Sequence, residues 1–189
     1  MILEDINTKI KTCTKCNLSK TRTQAVPGAG CSRAKILFIG EAPGKNEDLE
    51  GKPFVGRAGK LLDTMLQEIN LEREDVYITN TVKCRPPGNR DPLPGEIKAC
   101  LPWLKLQLKI IKPQVIVLLG RHSLNRFLPK EQISQAHGKV FKKYVYTGKT
   151  DKIATILFPI YHPAAALYNP NLKEVLQNDF KTLAKIIKS

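Results

Sequence analysis

The stretch Lys35-Ile36-Leu37-Phe38-Ile39-Gly40-Glu41-Ala42-Pro43-Gly44 decides the fold of this chain. Its first part is an unbroken apolar run, which predicts a strand buried on both faces of a sheet. Its second part is a turn bounded by glycines, where the backbone can approach a ligand closely. The stretch therefore predicts a buried strand that places the carboxylate of Glu41 at the edge of a sheet.

Similar apolar runs recur along the chain and alternate with segments of helical periodicity. Further strands are predicted over residues 75–80, 115–119, 139–146 and 153–161. Helices are predicted over residues 3–11, 58–69, 96–110 and 172–187, with another opening at 123–127. The segments 25–33 and 85–94, which are rich in glycine and proline, predict loops. This alternation indicates an α/β fold with a parallel or mixed sheet covered on both faces.

The length and composition of the chain fit one globular domain. With 189 residues, 42% of them apolar, residues 1–189 can bury a core without disulfides. The longest apolar run, 115–119, is far too short to span a membrane. Met1-Ile2-Leu3 is followed at once by Glu4 and Asp5, unlike a secretory signal. We therefore expect an intracellular, cytoplasmic protein, and a monomer because no oligomerisation signal is present.

The chain is strongly basic, with a formal net charge of +14 at pH 7. A charge of this sign and size favours association with polyanions, and nucleic acid is the usual intracellular one. The alternative is a lysine-rich surface of the sort found in heat-adapted proteins. Binding to a membrane surface is disfavoured, because no basic helix carries a bulky aromatic apolar face.

Four of the five cysteines have the distribution of metal ligands. Cys13 and Cys16 form a C-x-x-C pair, and 15 residues separate Cys84 from Cys100. In an intracellular protein such a set favours metal over disulfides, and four thiolates suit either tetrahedral zinc or an iron–sulfur cluster. The single close pair favours the cluster, whereas ordinary burial of Cys84 and Cys100 is the alternative. Cys31 lies in a glycine-rich loop and is interpreted as a bystander.

Three polar residues each follow a predicted strand: Glu41, Asn80 and His162. Because ligands bind beyond the carboxyl ends of strands in α/β sheets, we expect these side chains to lie in one neighbourhood. Asn offers one acceptor and two donors, the set needed to read an imide edge with its alternating carbonyl and N–H groups. Taken singly, each residue also has an ordinary interpretation, as a solvated glutamate, a turn-forming asparagine or a structural histidine.

Together, the glycine-bounded turn 40–44, the four cysteines and His162-Pro163-Ala164-Ala165 resemble the uracil-DNA glycosylase superfamily. The particular resemblance is to its family 4, the thermostable, iron–sulfur-containing branch, and it extends from Cys13 to the last helix. It implies a three-layer α/β/α sandwich with a central, mainly parallel sheet and a 4Fe–4S cluster on Cys13, Cys16, Cys84 and Cys100. It also implies hydrolysis of the N-glycosidic bond of uracil in DNA, which leaves an abasic site for base excision repair. Family 5 lacks the carboxylate of Glu41, and another branch has Asp there.

The resemblance implies roles for individual residues at the strand ends. Phe54 would stack on a uracil that has been flipped out of the helix, and Asn80 would pair with its O4 and N3 edge. His162 would donate to uracil O2, and Glu41 would either position water or stabilise the sugar cation. The backbone would also contact the base, at Gly40 and Ala42.

The resemblance and the basic loops together indicate the DNA contacts. Lys83, Arg85 and Arg90 are expected to contact phosphates, and Ala166 and Leu167 fall where relatives insert a wedge into the base stack. The lysine-rich segment 139–152 either joins them or forms a solvated face. The expected partner is uracil-containing DNA, single- or double-stranded; recruitment by a replication clamp or by repair proteins stays open.

Two other interpretations remain at this stage. One is a nucleic-acid-binding module without catalytic activity, stapled by zinc, which accounts for the charge and the cysteines. It does not require a carboxylate, an amide and an imidazole to meet at the ends of strands. The other is a glycosylase of broader specificity, acting on other deaminated bases or on mismatches.

Overall fold

The computed structural model describes residues 2–188, so Met1 and Ser189, the ends of the predicted domain, lie outside the described residues. The strands are β1 (Ala29–Gly30), β2 (Ile36–Gly40), β3 (Tyr77–Asn80), β4 (Val115–Leu119), β5 (Phe141–Tyr146) and β6 (Lys152–Ile160). The helices are α1 (Leu3–Lys11), α2 (Lys45–Glu50), α3 (Arg57–Gln67), α4 (Pro94–Ile111), α5 (Gly120–Phe127), α6 (Ile133–Ala136), α7 (Pro163–Tyr168) and α8 (Pro170–Lys188). Short 3₁₀ turns cover Asn17–Lys20 and Pro87–Asn89.

The six strands form one sheet in the order β1-β3-β2-β4-β6-β5. Within residues 2–188 the four central strands run parallel to one another, and only the edge strands β1 and β5 are antiparallel to their neighbours. The predicted mainly parallel sheet is therefore confirmed. Segment 25–33 was predicted as loop throughout, but two of its residues form β1, which is too short to produce a recognisable pattern.

Helices cover both faces of the sheet. Successive side chains of each central strand point to opposite faces, and since β2 and β4 are apolar throughout, both faces have to be covered. On one face Phe38 packs with side chains of α3 and α8, including Phe180. On the other face Leu37 and Ile39 pack with Leu104 of α4. The two cores together make the three-layer α/β/α sandwich, which confirms the predicted fold class. Within residues 2–188, no helix is both long and apolar enough to cross a membrane.

The structure adds two short helices beside the strand ends that the periodicity did not indicate. Helix α2 follows the turn after β2, and α7 follows β6. Six residues span less than two turns, too few for a helical pattern to be distinguished from loop. Both helices have an N-terminal cap that orients the loop before them, so they position the residues that sequence analysis selected.

Candidate active site

The carboxyl ends of β2, β3 and β6 meet at one edge of the sheet, and their polar residues lie together there. Gly40 and Asn80 are register partners on β2 and β3. A Cβ atom built on Gly40 would lie 2.3 Å from Asn80 Oδ1 and 2.9 Å from the Phe54 ring. The Phe54 ring in turn stacks on the His162 ring, with 5.5 Å between the centroids. Glycine at position 40 therefore leaves the space in which these three side chains meet.

Asn80 carries an unusual acceptor. The residue is only 2% exposed, and its Oδ1 is buried without a hydrogen-bond partner anywhere in the described chain, residues 2–188. An unsatisfied buried acceptor costs about 1–3 kcal/mol, so native proteins keep few of them without a reason. An N–H group of a ligand beside Phe54 and His162 would satisfy Asn80 Oδ1.

The backbone of Phe54 adopts a conformation that is rare for a side chain of this size. Its φ of 52° lies in the left-handed region, where residues other than glycine are strained. The Arg73 guanidinium donates to the carbonyl of Pro53 at 3.0 Å and also to the carbonyl of Phe54. Arg73 thus holds the strained loop and its ring in place. Sequence reasoning missed Arg73, because no local pattern links it to a loop about twenty positions earlier.

Glu47 joins the two loops that frame the site. Its Oε1 accepts from the backbone N–H groups of Val55 and Gly56, each at 3.0 Å. Its Oε2 accepts from the N–H of Gly44 at 3.1 Å, which caps α2. Sequence reasoning missed Glu47 too, although an acidic residue three positions after a candidate N-cap is one half of the capping-box pattern.

His162 is a neutral hydrogen-bond donor in this structure. It is the N-cap of α7, and its Nδ1 accepts from the backbone N–H of Ala164 at 3.1 Å. The ring proton is therefore on Nε2. Burial lowers the pKa of His162 to about 4, so the ring stays uncharged at neutral pH. The site presents an N–H donor here without a buried positive charge.

Glu41 lies at the rim of the site among charged neighbours. Its Oε2 is 3.6 Å from Nε2 of His122, and Asp91 Oδ2 lies 3.4 Å from the same nitrogen. Burial and, to a lesser extent, the charge of Asp91 raise the pKa of Glu41 to about 7. Glu41 and His162 line one cleft of about 430 Å³. None of Asp91, Arg121 and His122 was selected from the sequence, because only the fold brings them beside Glu41.

The rim residues do not resemble a ready cation site, although Glu41, Asp91 and His122 place ligand atoms within 4.8 Å of one another. The guanidinium of Arg121 already occupies this cluster. Its Nε donates to His122 Nε2 at 3.0 Å, and its Nη2 lies 3.5 Å from Asp91 Oδ2. The rim is thus a polar network around Glu41, in which Arg121 lies beside both His122 and Asp91.

Cys13, Cys16, Cys84 and Cys100 line one small cavity between α1, α4 and the segment that follows β3. Three N–H groups point at their sulfur atoms. Arg22 Nη1 lies 2.9 Å from Cys84 Sγ, Trp103 Nε1 3.2 Å from Cys13 Sγ, and the backbone N of Lys83 3.3 Å from Cys100 Sγ. Hydrogen bonds to sulfur of this kind stabilise metal-bound thiolates. Cys31 packs in a different core, beside Leu3 and Ala34.

The spacing of these sulfur atoms can be compared with the spacing that a single metal ion requires. No three of the four, all of which lie within residues 2–188, come within 4.8 Å of one another. Tetrahedral zinc, with Zn–S bonds of about 2.3 Å, requires sulfur atoms about 3.8 Å apart. The sulfur atoms are therefore spaced more widely than a single zinc ion requires.

Two of the expected DNA contacts are wrong. Lys83 is only 1% exposed, and its Nζ donates to Thr79 Oγ1 at 2.6 Å and to the Asn80 carbonyl at 2.7 Å. It points into the protein and cannot reach a phosphate. Ala166 is 7% exposed and packs in the core beside α8, so it cannot act as a wedge. The more accessible residues of this segment are the half-buried Leu167 and the exposed Tyr168.

The other expected contacts lie at the surface. Arg85 is half-buried and its Nε donates to Asn89 Oδ1 at 2.7 Å, within the proline-rich loop. Arg90 forms a two-pronged ion pair with Glu96, at 2.7 and 2.9 Å, which occupies much of its donor capacity. The accessible positive charge therefore rests more on Arg85 and on the lysines of β5 than on Arg90.

Residues 27–185 match the profile of the uracil DNA glycosylase superfamily, which is the class that the fold and the site define. The chain is 54% identical over 187 residues to the type-4 uracil-DNA glycosylase of Sulfurisphaera tokodaii, covering 97% of this chain and 84% of the relative. The type-4 enzymes of Saccharolobus solfataricus and Archaeoglobus fulgidus are 50% and 51% identical, over 99% and 97% of this chain and 87% and 92% of theirs. The chain therefore belongs to the type-4 uracil-DNA glycosylases, which confirms the family predicted from its motifs.

Proposed function

We propose that this protein removes uracil from DNA by hydrolysing the bond between the base and its sugar, which leaves an abasic site. The observation that carries the proposal is the unsatisfied Oδ1 of Asn80, buried beside the Phe54 and His162 rings. A base inside a duplex cannot reach such a site, so the nucleotide has to be flipped out of the stack. Phe54 then provides the surface on which the flipped base stacks.

The hydrogen-bonding pattern of uracil fits Asn80. The N3–H group of uracil would donate to Oδ1, and the amide group of Asn80 would donate to uracil O4. Cytosine has an unprotonated N3 and an amino group at C4, so both atoms of the carboxamide would face mismatched partners. A site built to bond an N–H rejects an analogue that lacks it, because the buried acceptor stays unpaired.

The neutral His162 is suited to stabilise the departing base. As the bond between sugar C1′ and uracil N1 breaks, its electron pair moves into the base and negative charge develops on O2. The Nε2–H of His162 would donate to that oxygen, and a preorganised donor of this kind is most effective in a site without bulk water. Water then bonds to C1′ and loses a proton.

Glu41 would act on the sugar side of the reaction, where water arrives. It positions the attacking water or stabilises the positive charge on the sugar, and both roles need the ionised carboxylate. The pKa of Glu41, raised to about 7, lies close to the pH at which an intracellular enzyme works. The backbone of Gly40 and Ala42, on either side of Glu41, would contact the base.

We further propose that Cys13, Cys16, Cys84 and Cys100 hold a 4Fe–4S cluster. The support is the set of N–H groups aimed at sulfur and the wide separation of the sulfur atoms. Such a cluster supplies a structural cross-link between the N-terminal segment, the segment after β3 and α4. It would then hold in place the loop that follows Asn80.

The DNA backbone would be held by accessible basic residues. Arg85 lies in the loop beyond β3, and Lys142 and Lys143 are exposed on the edge strand β5. Leu167 and the adjoining Tyr168, which is 83% exposed, would enter the space that the flipped nucleotide vacates. These contacts carry no sequence information, which suits an enzyme that finds one base in any sequence.

A strand-cleavage assay tests the proposed function. A labelled oligonucleotide with one uracil is incubated with the protein, treated with alkali and compared with the same oligonucleotide carrying cytosine or thymine. We expect cleavage at uracil only. Cleavage at other bases as well would favour a broader glycosylase, and binding without cleavage would favour a nucleic-acid-binding module. Broad visible absorption of the purified protein would support the cluster, and colourless protein containing zinc would contradict it.

A further inference from the structure

Lys83 is a fully buried amine that neither the chemistry at the strand ends nor binding of the DNA backbone uses. It is 1% exposed and lies between the residue proposed to read uracil and two of the four cysteines. We propose that Lys83 is a positioning residue, which fixes the main chain of Asn80 and connects it to the four-cysteine site. The inference rests on the proposed function, because it concerns how Asn80 is aimed at uracil.

At one end, the side chain of Lys83 holds the carboxyl end of β3. Its Nζ donates to the Asn80 carbonyl at 2.7 Å and to Thr79 Oγ1 at 2.6 Å. On the opposite side, Thr81 donates to the Gly40 carbonyl at 2.9 Å, which ties the same strand end to β2. The peptide planes around Asn80 are therefore fixed from two directions, and its carboxamide is aimed accordingly.

At its other end, Lys83 is fixed by the four-cysteine site. Its backbone N–H points at Cys100 Sγ at 3.3 Å, and Cys84 is the next residue in the chain. Its carbonyl accepts from the N–H of Val26 at 2.7 Å. The main chain of Lys83 is therefore tied to Cys100 and to the segment around Val26, and its side chain connects this position to Asn80.

The ammonium group also belongs to a wider buried network. Thr79 Oγ1, which accepts from Lys83, donates to the Pro27 carbonyl at 2.7 Å. The same carbonyl accepts from Gln107 Nε2 of α4 at 2.9 Å. Burying a charged amine costs several kcal/mol unless polar atoms surround it, so an apolar side chain would fill this space more cheaply. Lysine at this position fixes the orientation of the groups it bonds, because hydrogen bonds restrict angles that apolar packing leaves free.

A double-mutant cycle with Asn80→Ala tests this role. If Lys83 acts through Asn80, Lys83→Met should lower the single-turnover rate of uracil release by about tenfold to a hundredfold, the size expected for a misplacement near 1 Å. In the Asn80→Ala background the same substitution should change the rate less than about twofold. Affinity for DNA of the same sequence without uracil should stay constant in all four proteins. Equal fractional losses in both backgrounds would overturn the proposal, since they would show a general structural effect.

Lys83→Gln is the second variant, in case Lys83→Met prevents folding. Its side chain is shorter by one atom, so the contact with Asn80 is lost while a polar group is retained near Thr79. Thr79→Val is the matched control, because it removes both hydrogen bonds of the Thr79 hydroxyl, to Lys83 and to the Pro27 carbonyl, and leaves the bond between Lys83 and the Asn80 carbonyl. We expect the control to keep most of the wild-type rate.

Hydrogen exchange provides a measurement that needs no activity. In Lys83→Met, amides of residues 79–83 should exchange at least about tenfold faster, while those of α8 keep their protection. Unchanged exchange at 79–83 would overturn the role of Lys83 even if uracil release fell. Wild-type protein that releases no uracil would instead refute the proposed function, and the exchange experiment would still decide whether Lys83 holds Asn80.

Discussion

Two groups of polar residues lie next to each other at one edge of the sheet and are built in opposite ways. In the pocket, Asn80 and His162 are uncharged. The Lys83 side chain holds the main chain of Asn80, and the N–H of Ala164 and the Phe54 ring hold His162. At the rim, Glu41 and its neighbour His122 lie in a half-exposed network of charges. We infer a division of work, in which Asn80 recognises the neutral base, His162 stabilises the charge on the departing base, and Glu41 acts on the sugar side.

The two groups also differ in what they cost the folded protein. Burial keeps His162 neutral, which suits an N–H donor at the working pH. Burial and Asp91 oppose the ionised form of Glu41, and raising its pKa from 4.5 to about 7 corresponds to a penalty on the order of 3 kcal/mol above pH 7. A group kept at such a cost is typical of a functional site. The following predictions test this contrast, from the largest expected effect to the smallest.

Removing the hydrogen-bond donor that His162 provides in the pocket should have the largest effect on catalysis. His162→Ala should lower the single-turnover rate by about a hundredfold to a thousandfold, as when one donor is removed from an oxyanion hole. The affinity for uracil-containing DNA should change little, because the histidine acts mainly as charge develops on the base. The rates are measured with enzyme in excess, and the affinity by fluorescence anisotropy. Equal losses of rate and affinity would remove the role assigned to His162.

The rim should set the pH dependence. Because Glu41 is needed as a carboxylate, the single-turnover rate should rise with pH, reach half its maximum near pH 7 and level off above it. Glu41→Gln should be slower by about tenfold to a hundredfold and should lose this inflection. A pH profile of the glutamine variant with the same midpoint as the wild type would show that another group titrates.

The stability cost of Glu41 should appear in thermal unfolding. A raised carboxyl pKa means that the folded state binds the proton more tightly, so stability falls as pH rises from about 4.5 to about 7. Glu41→Gln removes this loss and should raise the Tm by about 5 °C at pH 8, with little change at pH 4. Glu74→Gln, at an exposed position before β3, is the control. Its change in Tm should be the same at pH 8 and pH 4. A Tm gain of the same size at both pH values would contradict the assignment.

Substitutions at the surface residue Arg85 and at the buried Lys83 should change the salt dependence of DNA binding differently. Arg85→Ala should weaken DNA binding a few-fold, and it should reduce the slope of log affinity against log salt by about 0.9 if Arg85 contacts one phosphate. Lys83→Met should leave that slope unchanged, because its amine is buried. Titrations at several salt concentrations check both. A shallower slope for the lysine variant would mean that Lys83 reaches the DNA after all.

The sequence could predict the residues at strand ends because a general rule governs them. Parallel strands carry the residues that follow them to one edge, so Asn80 and His162 could be placed together from the apolar runs alone. The same pattern says nothing about where a lysine side chain points. The charge of Lys83 predicts a DNA contact, but its side chain turns back into the protein and bonds to Thr79 of β3. Ala166 likewise turned inward with the start of the unforeseen helix α7.

Other site residues could not be predicted because their contacts join distant parts of the chain. Arg73 supports Phe54 across a whole helix, and Asp91 meets Glu41 only through the course of the proline-rich loop. Glu47 is the exception, since its capping spacing was visible in the sequence. Sequence patterns thus determine which strand ends meet, and long-range packing determines what supports them.

The most direct test of the account is the release of uracil compared with N3-methyluracil from otherwise identical DNA. Both bases offer the same oxygen atoms to His162, but the methylated base lacks the N–H that Asn80 Oδ1 is placed to accept. The account predicts that single-turnover release of N3-methyluracil is slower by at least about a thousandfold, as for sites that leave a buried polar group unpaired. Comparable rates for the two bases would contradict it, because Asn80 would then not be reading the imide edge.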